Sequence, residues 1–370
     1  MNTQVRLTKM NSESITRALI NLSALQHNLK VLQTYAPNSQ ILAVVKANAY
    51  GHGMIKIAQN LSGIYGLGVA RLNEALLLRD AGITTPIVLL EGFFHADDIE
   101  TLVTHNLQTV VHSQQQLDAI LKCKLNHPLQ VWLKLDTGMH RLGFQGNEFD
   151  LAYQRLASSE NVLQPINLIT HFNCADELDN KVTATQLTTF QSHINSSSGL
   201  NSLANSAATL AWPATHADII RPGIALYGVS PFENKLADDF NIKPVMTLKS
   251  QLIAVRAHQA GESVGYGATW TAKSDTILGV VAIGYGDGYP RMAPEGTPVL
   301  VNGRLVPIVG RVSMDMLTVN LGSHSSDKVG DAVTLWGEGL PATDVANHIG
   351  TIAYELVTKL TSRVTLQYVP

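Results

Sequence analysis

Eight short apolar segments in the first 230 residues constrain the fold more than any other feature of the sequence. They span residues 41–47, 65–70, 86–91, 108–112, 129–136, 165–172, 201–205 and 219–227. Between them the apolar residues recur at helical spacing, as at Leu77, Leu78 and Ala81. Strands that alternate with crossover helices form parallel sheets, and eight units within about 190 residues favour a closed (β/α)8 barrel over an open sheet.

The pattern changes near residue 241, where apolar segments follow one another with only turns between them. These segments span residues 245–255, 276–283, 298–301, 304–309, 316–321 and 332–336, and helices are expected at 342–348 and 354–360. Asn302-Gly303 separates two segments by two residues, which is a strong hairpin signal. The sequence therefore predicts an N-terminal arm over residues 1–12, a barrel domain over 13–240 and a mainly β domain over 241–370.

Composition narrows the classes of function. The net charge is −3 and no block of lysine or arginine occurs, so binding to nucleic acid or to an anionic membrane is not expected. No run of 18 apolar residues occurs and residues 1–14 lack a signal-peptide core, which favours a cytoplasmic protein. We expect Cys123 and Cys174 to be reduced thiols rather than part of a disulfide framework. No HExxH, paired CxxC or GxSxG motif occurs, so we expect no metal and no serine esterase chemistry.

In a barrel of this type the functional residues lie at the carboxyl ends of the strands. The candidates at these positions are Lys46, Lys134 with Asp136, His171, Asn205 with Ser206, and Arg221 with Gly223. The loops after the seventh and eighth strands often bind a phosphate, and here they contain Ser206 and Gly223. A phosphorylated ligand is therefore plausible from the predicted fold.

Two lysines require an explanation. Lys46 stands where a buried strand ends, and an amine there must be neutralised, paired or covalently bound to a carbonyl; we interpret it as covalently bound. Lys134 shares a strand face with Trp132 and Asp136. Asp136 could pair with it, whereas Arg141 would add like charge unless the lysine has become anionic. The residues alone leave this choice open.

The segment Ala43–Gly53, with the sequence AVVKANAYGHG, resembles the pyridoxal-phosphate attachment motif of bacterial alanine racemases. Further blocks resemble that family in the same order: Lys134–Gly143, Thr170–Phe172, Asn205–Ser206, Arg221–Gly228, Val264–Gly267, Ile283–Gly288 and Gly310–Asp315. The resemblance extends from about Ile15 to the C-terminus.

This resemblance implies a role for each matching residue. Lys46 would bind the cofactor covalently and act as one catalytic base, and Tyr266 of a second subunit would be the other. Arg221 would face the pyridine nitrogen, and His171 would lie near the ring and link to Tyr266 through Arg221. The residues implied in cofactor binding are Lys46, Tyr50, His171, Asn205, Ser206, Arg221, Gly223, Ile224 and Tyr354. Those implied at the substrate are Arg141, Met314 and Tyr285, the last two from the partner subunit.

In the same family the lysine that matches Lys134 is often carbamylated, which would supply the anion that Arg141 lacks. The implied activity is interconversion of L-alanine and D-alanine, with D-alanine going to peptidoglycan, by a homodimer whose active sites are shared between subunits. The alternatives are a broader-specificity amino-acid racemase, an amino-acid decarboxylase of the same fold and a non-catalytic pyridoxal-phosphate carrier. Arg221 argues against the decarboxylase, because that class places a carboxylate at the pyridine nitrogen, and the second domain argues against the carrier.

Overall fold

The computed structural model of the protein describes residues 14–194 and 198–370, which divide into two compact units. The smaller unit comprises the described residues up to Ile20, Met246–Thr351 and Lys359–Tyr368; the larger comprises Asn21–Val245, Ile352–Thr358 and Val369–Pro370. The predicted arm over residues 1–12 lies outside the described residues. Each unit therefore combines segments that are distant in sequence.

The larger unit is a parallel barrel surrounded by helices. After β1 (Arg17–Asn21), which pairs in the other unit, its strands are β2 (Gln40–Val44), β3 (Gly66–Val69), β4 (Ile87–Leu89), β5 (Leu107–Val111), β6 (Val131–Lys134), β7 (Asn167–Ile169), β8 (Asn201–Ser202) and β9 (Ile219–Ile220). Its helices are α1 (Leu22–Tyr35), α2 (Lys46–Tyr50), α3 (Met54–Gln59), α4 (Leu72–Asp80), α5 (Asp98–Thr104), α6 (Gln114–Lys122), α7 (Gly146–Ala157), α8 (Val182–Gln191) and α9 (Ser206–Ala211), with α11 (Ala353–Thr358) joining from late in the chain. Each predicted barrel segment overlaps one of the strands β2 to β9.

Backbone hydrogen bonds bring the ends of the barrel sheet together. The strands from β2 to β8 pair in sequence order, and β2 also pairs with β9. Between β8 and β9, Asp218 N donates to Asn201 O at 3.2 Å and Arg221 N donates to Ala204 O at 2.8 Å. The predicted parallel (β/α)8 barrel is confirmed.

The barrel core explains why its strands consist of uninterrupted apolar residues. Strands of a parallel sheet covered by helices are buried on both faces. A central cluster joins side chains from six strands: Leu42, Val88, Val110, Trp132, Ile169 and Ile219. Lys134 lies two residues after Trp132 and therefore projects from the same strand face, toward the carboxyl ends of the strands.

The smaller unit is mainly antiparallel β, as predicted. Its strands are β1, β10 (Met246–His258), β11 (Ser263–Val264), β12 (Trp270–Thr271), β13 (Thr276–Val281), β14 (Pro298–Val301), β15 (Arg304–Pro307), β16 (Leu317–Asn320), β17 (Ala332–Trp336) and β18 (Thr365–Val369), and its helix is α10 (Ala342–Ile349). The main sheet has the order β15-β14-β17-β10-β1-β18, and β13 pairs with β10 and β16. The predicted hairpin joins β14 to β15, with positive φ of 50° at Asn302 and 78° at Gly303.

The division into units differs from the predicted domains in four segments. The described residues 14–20 belong to the smaller unit, and residues 241–245, 352–358 and 369–370 belong to the barrel unit. β1 falls within the predicted barrel domain, but it pairs with β10 in the smaller unit, from Arg17 with Lys249 to Ile20 with Met246. α11 falls within the predicted β domain but belongs to the barrel unit. Helix α1 begins after Asn21, whose side chain accepts from Ala24 N at 2.8 Å, so Asn21 is the N-cap of α1.

Candidate active site

Lys46 lies just beyond the carboxyl end of β2, where it begins α2. Burial lowers the pKa of its amine, and nearby Arg141 and Arg221 lower it further, whereas Glu91 and Glu74 raise it. An amine with a lowered pKa is unprotonated more often and is a better nucleophile toward a carbonyl. The position therefore favours covalent chemistry at the Nζ atom.

The turn after Lys46 has an unusual backbone. Ala47, Asn48, Ala49 and Tyr50 all have φ between 52° and 54°, which makes α2 a left-handed turn. Each non-glycine residue in this conformation costs about 1–2 kcal/mol, so consecutive examples need support from the surrounding structure. At the end of this turn Tyr50 is buried, with its ring centroid 5.0 Å from that of Tyr227.

Positively charged groups converge at the carboxyl ends of the strands. Burial, followed by the charges of Arg221 and Arg141, lowers the pKa of Lys134 to about 8. Burial together with Arg221 and Lys134 holds the pKa of His171 well below its usual range, so its imidazole is neutral at pH 7. Such an arrangement of Lys46, Lys134, Arg141 and Arg221 is suited to an anionic ligand.

Arg221 is fixed by its hydrogen bonds. It follows β9 and is 5% exposed. Its Nη1 donates to Ser202 Oγ at 2.8 Å, and its Nη2 donates to the carbonyl oxygens of Thr170 at 2.6 Å and Leu203 at 3.1 Å. The Nδ1 atom of the neutral His171 ring lies 3.4 Å from Nη2. Burial lowers the pKa of Arg221 to about 9, so the guanidinium remains charged at neutral pH.

The loops after β8 and β9 form a cradle lined by Ser206 and Gly223. The Ser206 Oγ atom accepts from Gly223 N at 2.9 Å and from Ala225 N at 3.3 Å, which holds the two loops together. A Cβ atom on Gly223 would lie 2.4 Å from the hydroxyl of Tyr50, so only glycine leaves room there. Tyr354 of α11 places its ring centroid 6.1 Å from that of Tyr50. Burial raises the pKa of Tyr50 to about 12 and also raises that of Tyr354, so both hydroxyls remain protonated donors.

Two further predicted residues frame this cradle. Asn205 caps α9, with its side chain accepting from Ala208 N at 3.0 Å. Ile224 is buried and begins a short 3-10 helix that ends at Tyr227, where the sequence predicted a continued strand. Within that helix, Ala225 N donates to Ser206 Oγ at 3.3 Å.

Tyr266, Tyr285 and Met314 belong to the smaller unit, and their side chains are 72%, 39% and 52% exposed. Tyr285 N donates to Ser313 O at 3.0 Å, and Gly286 N donates to Met314 O at 2.8 Å, so these two loops lie side by side. Arg363 holds the same loops, with contacts of 3.1 Å to Asp287 and 2.9 Å to Asp315. Their exposed side chains are accessible to a second molecule.

Several buried polar residues that hold the site residues in place were not among those predicted from the sequence. Gln186 of α8 is buried; it donates to Thr137 Oγ1 at 3.1 Å and to His171 O at 3.2 Å, and it accepts from Asn173 N. The Oγ1 atom of Thr137 lies 2.9 Å from that of Thr170, and the carbonyl oxygen of Thr170 accepts from Arg221 Nη2. A polar residue on an otherwise buried helix face is the signal that could have identified Gln186.

Asp136 does not take the role of counter-ion that its position suggested. Its carboxylate accepts from Gly138 N at 3.1 Å, His140 N at 3.0 Å and Gln145 Nε2 at 2.8 Å. It therefore orders the loop after β6. Among the described residues no carboxylate lies within ion-pair distance of Lys134, although the charge of Asp136 raises the pKa of that lysine.

A parallel barrel whose strand ends bring together a desolvated lysine, several cationic side chains and this cradle is the arrangement of a (β/α)8 enzyme. The alanine racemase N-terminal domain model matches residues 20–231, and the C-terminal domain model matches residues 245–368. The chain belongs to the alanine racemase family.

Individual relatives agree over nearly the whole chain. The alanine racemase of Shewanella loihica is 60% identical over 348 residues, covering 94% of this chain and 97% of the relative. That of Aeromonas hydrophila is 57% identical over 352 residues, covering 95% and 99%. The crystal structure of the biosynthetic alanine racemase from Pseudomonas aeruginosa has a TM-score of 0.94 at 45% identity and covers 97% of this chain and all of that one.

No helix among the described residues is long and apolar enough to cross a membrane.

Proposed function

We propose that this protein is a pyridoxal-phosphate-dependent alanine racemase that acts as a cytoplasmic homodimer and supplies D-alanine for peptidoglycan. The observation that carries the proposal is the desolvated Lys46 amine beside a cationic pocket in a chain of this family. Racemisation requires removal of the α-proton from one side of the amino acid and its return on the other. Two bases are therefore needed.

The residues of the barrel site suit pyridoxal phosphate. Lys46 would hold its aldehyde carbon. Tyr50, Ser206 and Tyr354 would contact the phosphate through their hydroxyls, with the backbone of Gly223 and Ile224 closing the cradle. Asn205 would position this loop by capping α9. When bound, the cofactor supplies an electron-withdrawing ring that stabilises the negative charge left on the α-carbon.

The proton transfers are assigned to Lys46 and Tyr266. Lys46 Nζ would take or return the α-proton on one side, helped by a pKa that burial has lowered. Tyr266 Oη of the partner subunit would act on the other side.

Arg221 would set the behaviour of the ring nitrogen. Its guanidinium is fixed by backbone carbonyls and Ser202, so it cannot turn away. Because the guanidinium remains protonated at neutral pH and offers only hydrogen-bond donors, the nitrogen that faces it would be an acceptor and would remain unprotonated. By keeping that nitrogen unprotonated, Arg221 would limit the lifetime of the negative charge on the α-carbon and would so discourage transamination. His171, neutral at pH 7, would lie beside the ring and contact Arg221.

Arg141 and the partner's Met314 would bind the substrate carboxylate, and the partner's Tyr285 would line the entrance. The exposed side chains of Tyr266, Tyr285 and Met314 support a dimer, because a second copy of the chain can reach them. Lys134, buried among cations, would be carbamylated and would then give Arg141 an anionic partner.

The experiment is to purify the protein, record its absorbance spectrum and incubate it with L-alanine, followed by chiral analysis. A cofactor band together with D-alanine rising to equality supports the proposal. Tyr266→Phe should retain the band and lose racemisation by about 10²–10⁴-fold, as expected for removal of a general acid–base group. A Tyr266→Phe variant that racemises alanine at the full rate would remove the two-base assignment.

A broader-specificity racemase is the second candidate, and it is tested by the same assay with serine and larger amino acids. A decarboxylase of this fold would release CO₂ and would need no hydroxyl at Tyr266. The fixed arginine at position 221 disfavours it.

A further inference from the structure

Glu74 connects two loops at the carboxyl ends of neighbouring barrel strands. It lies in the first turn of α4, which follows β3. Its Oε1 atom accepts from Ala47 N at 2.7 Å, in the loop after β2. Its Oε2 atom accepts from Ala70 N at 2.8 Å and from Arg71 N at 3.0 Å, at the start of its own helix. One carboxylate therefore makes three backbone contacts across two loops.

The Oε2 contacts have an ordinary explanation, since a glutamate at this position commonly caps the start of a helix. Helix capping does not explain the Oε1 contact, because Ala47 belongs to another segment of the chain. Ala47 is the residue immediately after Lys46. Ala47 is also the first of the four residues with positive φ. A charge-assisted hydrogen bond is stronger than a neutral one, so it offsets part of the cost of this backbone conformation.

We propose that Glu74 is a positioning residue for Lys46: it fastens the left-handed turn at Ala47 and thereby fixes the direction in which the lysine amine points. The inference rests on the proposed function, because it assigns to Lys46 the role given above. Glu74 touches neither the cofactor nor the substrate in this scheme. Its negative charge also favours the protonated form of the Lys46 amine.

Glutamine at position 74 separates the capping of α4 from the contact with Ala47 N. The amide keeps one oxygen, which suffices to cap α4, and its NH₂ group cannot accept from Ala47 N. Asp80, an exposed carboxylate at the other end of α4, provides the matched control as Asp80→Asn. Both variants remove one negative charge from the same helix.

The first measurement is hydrogen–deuterium exchange of the holoenzyme. We expect Glu74→Gln to speed exchange in residues 46–50 by about tenfold, as for loss of one hydrogen bond to a charged group, while the amides of α4 remain protected. The second measurement is steady-state kinetics, in which kcat should fall about tenfold with KM unchanged, because the substrate contacts are intact. Asp80→Asn should match the wild type in both.

Three results would overturn the inference. Unchanged exchange at residues 46–50 in Glu74→Gln would mean that Glu74 only caps its helix. Faster exchange throughout α4 would mean that the variant loosens the helix itself. A rise in KM without a fall in kcat would place the effect at substrate binding. The exchange measurement needs no turnover, so it decides the role of Glu74 even if the protein proves not to racemise alanine.

Discussion

Replacing Lys134 by methionine tests the electrostatics of the barrel site most directly. The pKa of Lys134 is lowered to about 8 from an ordinary value of 10.5. At 1.36 kcal/mol per pKa unit, this corresponds to about 3 kcal/mol of destabilisation by the protonated amine. The folded pKa is below the unfolded one, so this cost is complete below about pH 8, declines as the pH rises from 8 to 10.5, and disappears above that.

Two forms of Lys134 give opposite results. If the side chain remains an amine, Lys134→Met should raise the free energy of unfolding at pH 7 by up to about 3 kcal/mol, and should have no effect above pH 10.5. If it is carbamylated, the substitution removes the anion that Arg141 and Arg221 face, and it should destabilise the protein. We expect the second result, because a pKa of about 8 leaves about half of the amines unprotonated at pH 8. An unprotonated Nζ can bond to the carbon of CO₂ and release one proton.

The assay is thermal unfolding at pH 8 in bicarbonate buffer and in CO₂-free buffer. The wild type should have a higher Tm and a higher kcat in bicarbonate buffer than in CO₂-free buffer. Lys134→Met should have the same Tm and the same kcat in both buffers. Native mass spectrometry should detect one added CO₂ per chain. Carbamylation of Lys134 is refuted if the wild type has the same Tm in both buffers and Lys134→Met is the more stable protein at pH 7.

Three further predictions concern the dimer and the turn after Lys46. Mixing inactive Lys46→Ala protein with inactive Tyr266→Phe protein should restore part of the racemase activity through hybrid dimers; hybrids that form without activity would place both bases in one chain. Ala47→Gly should raise the free energy of unfolding by about 0.5 kcal/mol in urea titration, because relief of the positive φ exceeds the entropy that glycine adds to the unfolded chain. The matched change Ala184→Gly in the right-handed helix α8 should lower the free energy of unfolding by about 1 kcal/mol. An equal loss of stability in both variants would contradict the assignment of strain to the positive φ at Ala47. Gly51→Ala should lower the free energy of unfolding by about 2–4 kcal/mol, because its Cβ atom would lie 2.0 Å from a carbonyl oxygen of α11. It should also weaken retention of pyridoxal phosphate on gel filtration. A variant of near wild-type stability would show that α11 can move to make room for the added methyl group.

Local patterns in the sequence predicted much of this structure because the physical causes are themselves local. The hairpin at Asn302-Gly303 follows from two residues that tolerate positive φ. The eight barrel strands follow from apolar runs of strand length separated by helical spacing. The sites at the strand ends follow from the barrel, so Lys46, Lys134 and Arg221 could be selected before their surroundings were known.

Other features depend on partners far away in the chain. No local signal distinguishes a strand of the barrel from β1, which pairs with β10 more than 200 positions later. Local preference even opposes the turn at 47–50, since L-residues avoid the left-handed conformation. Likewise, the pairing of Glu74 with Ala47 N and of Gln186 with His171 O depends on how loops of different strands approach one another.

The sequence by itself determined the strand and helix pattern, the barrel and the identity of the lysine at the end of its first strand, because these depend on spacing and residue type. Tertiary structure alone decided the protonation and orientation of the site. Burial lowers the pKa of Lys134 and His171, and carbonyl oxygens from two other strand ends hold Arg221 in place. Desolvation and hydrogen bonding act through space, so their magnitude becomes fixed only when distant segments have packed together.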